Sequence, residues 1–247
     1  MHKVFLAVLV VALCGIVFVA SKEDTTKVIH HINVKGNTLL TSDDYLMFAG
    51  LQNDKAMPGV TAGEVRARLL KHPYIKDVSV FFSAPELLQV QVSEKTLKAR
   101  LFTSGSEYFV TSNLEMIKSL KNTSPAATDI PVISGLQFNE QEALPPVIAQ
   151  KISESVELIN ATLPDSAVYE KNLSEISFSD QDKFKVTLSN ITPKIYFTDN
   201  NIAQQVHYVT TLLKEKETYA SVLAHADYVD VRFQKKIFVG YPSQIGI

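Results

Sequence analysis

Residues 4–20, from Val4 to Ala20, carry no charged side chain, and this run constrains what the rest of the chain can become. As an α-helix at ~1.5 Å per residue it spans roughly 26 Å, slightly short of a bilayer's hydrocarbon core. Lys3 and the amino terminus precede it, and Lys22, Glu23 and Asp24 follow. That asymmetry favours an N-terminus held inside and export of the remainder. A retained signal anchor is expected, because the run exceeds the ~7–15-residue apolar core of a cleaved signal. Two alternatives stand beside it. Cleavage after Ser21 would place Val19 at the third position before the cut, a tolerable residue; cleavage after Ala20 would place bulky Phe18 there. A lipoprotein would use Cys14, but Leu13 just before it is too large. Cys14 is the single cysteine, so no intramolecular disulfide or cysteine-rich metal site can form.

Beyond the run, hydrophobic residues make up 46% and charged residues 20% of the chain, a composition that folds rather than stays disordered. Val28, Ile32 and Val34 give a strand of period two that ends at Gly36-Asn37. Ser42 and Asp43 are N-cap types before a short helix carrying Tyr45, Leu46, Phe48 and Ala49, with Gly50 closing it. A second helix places Val65 and Leu69 on one face and stops at His72-Pro73, because the residue before proline is pushed out of the helical region. Val78, Val80 and Phe82, then Leu88, Val90 and Val92, form two strands separated at Pro85. The order is β-α-α-β-β. The last two strands suit a hairpin, with both helices on one face of the sheet.

The remainder reads as a mixed, β-rich region with helices. Short strands are expected at Ala99–Phe102, Tyr108–Val110 and Ile130–Gly135. A helix begins at Pro145-Pro146 and carries the stripe Ile148, Ile152, Val156 and Ile159. Strands follow at Ile176 and Phe178, at Phe184, Val186 and Leu188, and at Ile195 and Phe197. Asn200 or Asn201 caps a last helix with Ile202, Val206, Val209 and Leu213 on one side. Val229, Val231 and Phe233 alternate with polar neighbours, and Ile237 and Val239 resume the same parity. This reads as one final strand, close enough to the C-terminus to lie at a sheet edge with unpaired backbone groups.

No reactive constellation emerges. Lys and Arg total 24 against 26 Asp and Glu, a formal charge of −2, which does not point to a nucleic-acid partner, although it leaves room for a local basic patch. None of His2, His30, His31, His72, His207 and His225 pairs with another at helical ligand spacing, and adjacent His30 and His31 point to opposite faces of a strand. Walker, dinucleotide and nucleophile-elbow motifs are absent. Asp227 and Asp230, three apart on the expected strand, face opposite sides and make an awkward acid/base pair. No catalytic residue, metal, cofactor or small-molecule substrate is assigned.

Two sets of residues carry a family resemblance. The pattern Ile32-x-Val34-x-Gly36-Asn37, then His72-Pro73-x-Ile75-x-x-Val78-x-Val80, then Pro85-x-x-Leu88-x-Val90-x-Val92-x-Glu94 resembles a POTRA domain. Ile130-Pro131-Val132-Ile133-x-Gly135, the run Tyr228–Phe233 and Val239-Gly240-Tyr241 look like the β domain of the FtsQ/DivIB cell-division proteins. Two departures are noted: only Met1–Lys3 precede the apolar run, and the family's Asp-x-x-Gly turn is here Ser112-Asn113-Leu114-Glu115.

The resemblance implies an α+β chain with an N-terminal transmembrane helix. Residues 1–3 would be a cytoplasmic tail, 4–20 the anchor in the lipid bilayer, 21–26 a linker, 27–94 the POTRA domain and 95–247 the β domain. It implies a single-pass protein of the bacterial inner membrane with its domains in the periplasm, acting as a division scaffold without enzymatic activity. Its partners would be of the FtsB and FtsL type, bound at the C-terminal edge through Tyr228, Asp230, Arg232, Phe233, Lys236, Phe238 and Tyr241. Arg232 would meet a partner carboxylate, and Phe233 is equally suited to the core. The alternative is a secreted or membrane-associated POTRA-containing binding or transport accessory protein.

Overall fold

The computed structural model describes residues 28–242 apart from 54, 104, 121–124, 126–128, 140–141, 161–171, 181–182 and 190. The expected tail, anchor and linker at residues 1–26 lie outside the described residues. Among those described, no helix is long and apolar enough to cross a membrane. The chain forms two compact units that divide between Lys95 and Thr96.

The first unit has the expected β-α-α-β-β order. It comprises β1 (His31–Lys35), α1 (Ser42–Phe48), α2 (Ala62–Leu69), β2 (Ile75–Ala84) and β3 (Leu87–Glu94). β3 is central, parallel to β1 and antiparallel to β2. Ile32 and Val34 of β1 and Leu88, Val90 and Val92 of β3 turn to one face. Tyr45 and Leu46 of α1 and Val65 and Leu69 of α2 are buried with them. The first helix starts one residue earlier than the sequence suggests. Thr41 is the N-cap because Asp44 stands at the third helical position: the Thr41 hydroxyl accepts from the Asp44 N–H at 3.2 Å, and the Asp44 carboxylate accepts from the Thr41 N–H at 3.1 Å.

His72, which follows α2, is 2% exposed. Its Nδ1 accepts the Tyr74 N–H at 3.2 Å, and the rings of Tyr45, Phe48 and Tyr74 lie 4.7, 4.4 and 5.4 Å away. Burial lowers its pKa to about 4, against the opposing pull of the Glu94 and Asp44 carboxylates. The folded unit therefore holds a neutral imidazole, while the unfolded chain protonates near pH ~6.5. Stability is full above that value and falls as pH drops towards 4, by about 3 kcal/mol if the whole shift is expressed. Urea melts at pH 7 and pH 4.5 should register this loss, and His72→Phe should flatten it.

The second unit is a nine-stranded mixed sheet in the order β12-β11-β10-β9-β8-β7-β4-β5-β6. Its strands are β4 (Leu97–Thr103), β5 (Ser106–Thr111), β6 (Met116–Lys118), β7 (Val132–Ser134), β8 (Leu173–Asp180), β9 (Lys183–Leu188), β10 (Lys194–Phe197), β11 (Tyr228–Asp230) and β12 (Phe238–Gly240). Among the described residues, three helices accompany them: α3 (Pro146–Asn160), α4 (Ile202–Lys214) and α5 (Lys216–Ala224).

Successive registers align Val239, Val229, Ile195, Val186, Ile176, Ile133, Leu101 and Tyr108 in one rank across the sheet. Because side chains alternate between faces along a strand, this rank fixes the apolar face. Ile152 and Val156 of α3 and Val206 and Val209 of α4 join the same core. The expected cap of α4 is Asn201, but it takes φ 58° and makes no side-chain capping bond. Gln205 secures the entry instead: its Oε1 accepts the Thr198 N–H and its Nε2 donates to the Thr198 carbonyl, both at 2.9 Å. Nor is α4 the last helix, since α5 follows it. In the turn between β5 and β6, where the resemblance leads one to look for glycine, Leu114 adopts φ 63°.

Candidate protein-docking edge

The chain does not end in one long strand. It turns back after β11, and β12 pairs antiparallel with β11 at Tyr228–Gly240, Val229–Val239 and Asp230–Phe238. Val231 keeps the parity of Val229 and is buried with it, but parity fails across residues 232–237 for two local reasons: Arg232 folds back onto Asp230, and Lys235 reverses the chain at φ 59°. The Asp227 N–H donates to the Gly240 carbonyl at 2.8 Å and closes the hairpin.

β12 terminates the sheet, with β11 as its one strand neighbour among the described residues. The direction of its free groups follows from the ladder. The Val231 N–H donates to the Tyr196 carbonyl at 3.2 Å and so faces β10. Alternation turns the backbone groups of Tyr228 and Asp230 towards β12. Phe238 and Gly240, directly opposite them, face inward, and the N–H and C=O of Val239 point to the open side.

The side chains named from the sequence gather around this hairpin in two kinds of environment. Phe233, Phe238 and Tyr241 are 49%, 48% and 54% exposed, and the Phe233 and Phe238 rings meet edge to face at 4.8 Å. Phe233 is thus a surface residue; β11 has ended before it, so the parity it shares with Val229 and Val231 does not carry it into the core. Lys236 is exposed beside them. The Tyr228 ring lies across Gly240, where a Cβ would stand 2.1 Å from Tyr228 Cε1, and it packs edge-on against Tyr196 at 5.3 Å.

Asp230 differs from these. It is 5% exposed, and its Oδ1 accepts the Arg232 N–H at 3.1 Å and Arg232 Nε at 2.8 Å, while Oδ2 pairs with Arg232 Nη2. The guanidinium also lies 5.6 Å from the Tyr196 ring centre. The carboxylate that Arg232 meets is therefore its own chain's. Asp227 is exposed, outside β11 and bonded through its backbone, so it makes no pair with the buried Asp230. Two residues that the sequence did not single out support the hairpin, Tyr196 beneath Arg232 and Tyr208 on α4. Their one sequence signal is an aromatic residue next to, rather than on, the apolar stripe of its element. Among the described residues, no group of three or more His, Cys, Asp or Glu is placed to hold a metal ion.

Fold and edge together define a class: a chain whose first unit is a small β-α-α-β-β module and whose second is a mixed sheet ending in an open strand. Residues 28–95 match the model of the POTRA domain, FtsQ-type. The chain is 24% identical over 215 residues to the cell division protein FtsQ of Koribacter versatilis, covering 86% of this chain and 60% of that protein. It is 25% identical to FtsQ of Geotalea daltonii, covering 85% and 74%, and 29% identical over 150 residues to DivIB of Brevibacillus brevis, covering 58% and 54%. The solved extracytoplasmic domain of DivIB from Geobacillus stearothermophilus aligns with half of the chain at 18% identity, with a TM-score of 0.33, too low to bear on the fold. The chain thus contains an FtsQ-type POTRA domain and is similar over most of its length to the FtsQ and DivIB cell division proteins.

Proposed function

We propose that the chain is a cell-division scaffold that catalyses no reaction and docks other division proteins on the open side of β12. Relatives named as cell division proteins supply the process. The observation that carries the docking mode is the outer side of β12, which no strand among the described residues pairs, flanked by exposed Phe233, Phe238 and Tyr241. An incoming strand would take its affinity from main-chain hydrogen bonds and its specificity from these side chains. The partners on this reading are of the FtsB and FtsL type. Val4–Ala20 anchors the chain in the bacterial inner membrane, and both units stand outside at the septum.

Val239→Pro tests the docking mode with little damage to the hairpin. Proline removes an N–H that faces the open side, the arrangement in which edge strands tolerate it. Association with an FtsB-type partner should weaken about 100-fold, reflecting a lost main-chain bond and the ring's obstruction of an approaching strand. The melting temperature should change little. Undiminished association in a well-folded Val239→Pro chain would remove strand addition at β12 from consideration.

A further inference from the structure

β12 is three residues long and has a single strand neighbour among the described residues, so its own ladder is a weak determinant of its position. The turn that delivers it, Arg232 to Ile237, contains neither glycine nor proline and includes a lysine at φ 59°. A left-handed conformation is unfavourable for a residue with a Cβ and persists where surrounding groups enforce it. Two side chains do so. Asp230 gathers the backbone N–H and the guanidinium of Arg232 at the start of the turn. Tyr208 Oη accepts the Lys235 N–H at 2.8 Å at the reversal itself, and Gln204 Nε2 donates to the same oxygen at 2.8 Å.

We propose that Asp230 and Tyr208 are positioning residues of the docking edge: they preset the turn so that β12 stands in register before a partner arrives. This rests on the docking function proposed above. Holding the strand beforehand lowers the ordering cost of association. It also separates the roles at this end of the sheet, with Phe238 and Tyr241 facing the partner and Asp230 and Tyr208 acting through the turn.

The test uses the full chain and two readouts. In Tyr208→Phe, which keeps the ring and removes the oxygen, the Phe238 and Gly240 amides should exchange hydrogen about 10-fold faster, the measure of one lost hydrogen bond. Association with the extracytoplasmic segment of the FtsB-type protein from the same genome should weaken by a similar factor. The Val186 and Ile195 amides in the core should be unaffected. Asp230→Asn should act in the same direction, but buried Asp230 also risks the fold, which is why Tyr208→Phe leads. Glycine enters the left-handed region freely, so adding Lys235→Gly to Tyr208→Phe should restore both protection and association; a general packing defect would not respond. Unchanged exchange in β12 of Tyr208→Phe would overturn the proposal. If exchange accelerates while the unaltered chain shows no association, positioning stands and the docking function falls.

Discussion

Replacing Gly135 by alanine should destabilise the second unit by about 3–5 kcal/mol, whereas the same change at Gly105 should cost about 1 kcal/mol. Both glycines sit at φ 81°, so both variants carry the same left-handed penalty. They differ in surroundings. A Cβ on Gly105 meets nothing within 4 Å, while one on Gly135 would stand 1.9 Å from the Phe178 carbonyl oxygen and 2.9 Å from its carbon. Those atoms belong to β8, the strand that pairs with β7, so no side-chain rotation relieves the overlap. Either the strands separate or the turn after β7 unwinds. A loss of this size is a large part of a domain's ~5–15 kcal/mol. Denaturant titration of both variants checks it, and equal losses would refute the close approach. The consequence reaches the proposed docking edge, because β7 joins the β4–β6 meander to the β8–β12 half of the sheet.

That glycine illustrates what was legible in advance. Its motif, Ile-Pro-Val-Ile-x-Gly, is visible as a strand and a stop, but the strand it touches lies some forty residues away. The first unit was readable almost throughout because its information is local: alternation in β1 and β3, helix stripes, and Pro73 and Pro85 as punctuation. The second unit's strands were mostly readable and their order was not. Parallel neighbours β4–β7, β7–β8 and β10–β11 join segments distant in sequence, and periodicity does not say which strands pair. Two elements escaped notice: β6 is three residues long, and α5 shows little amphipathic contrast, with Leu223 its clearest buried residue. The C-terminal hairpin was read as one strand because its turn is enforced by Asp230 and Tyr208 rather than by glycine or proline. The exposed aromatic residues of the edge could be named from the resemblance. The burial of Asp230 could not, since it depends on how Arg232 folds back.

Glu94→Ala should cost the first unit about 4 kcal/mol, a larger effect than a half-buried surface carboxylate would suggest. Glu94 closes β3, yet its carboxylate serves the loop between β1 and α1 and the first helix itself. It accepts the Thr38 N–H at 2.8 Å, the Thr38 hydroxyl at 2.5 Å and the Leu39 N–H at 3.0 Å, together with the buried Tyr45 hydroxyl. Hydrogen bonds to a charged acceptor contribute more than neutral ones. Removal leaves the buried Tyr45 Oη without that acceptor. Burial and the same carboxylate raise the Tyr45 pKa, so the phenol remains a donor through any ordinary pH. Thr38 is exposed and recovers part of its loss from solvent, which keeps the figure below a simple count of bonds. Glu94→Gln retains one acceptor oxygen and should lose about half as much. It also supplies a check that stability alone cannot give: the Glu94 charge favours the protonated form of His72, so the neutral amide should move the His72 titration below about 4. An NMR titration of His72 in the Gln variant reads this directly, and a His72 pKa that stays put or rises would show that Glu94 does not act on that buried ring.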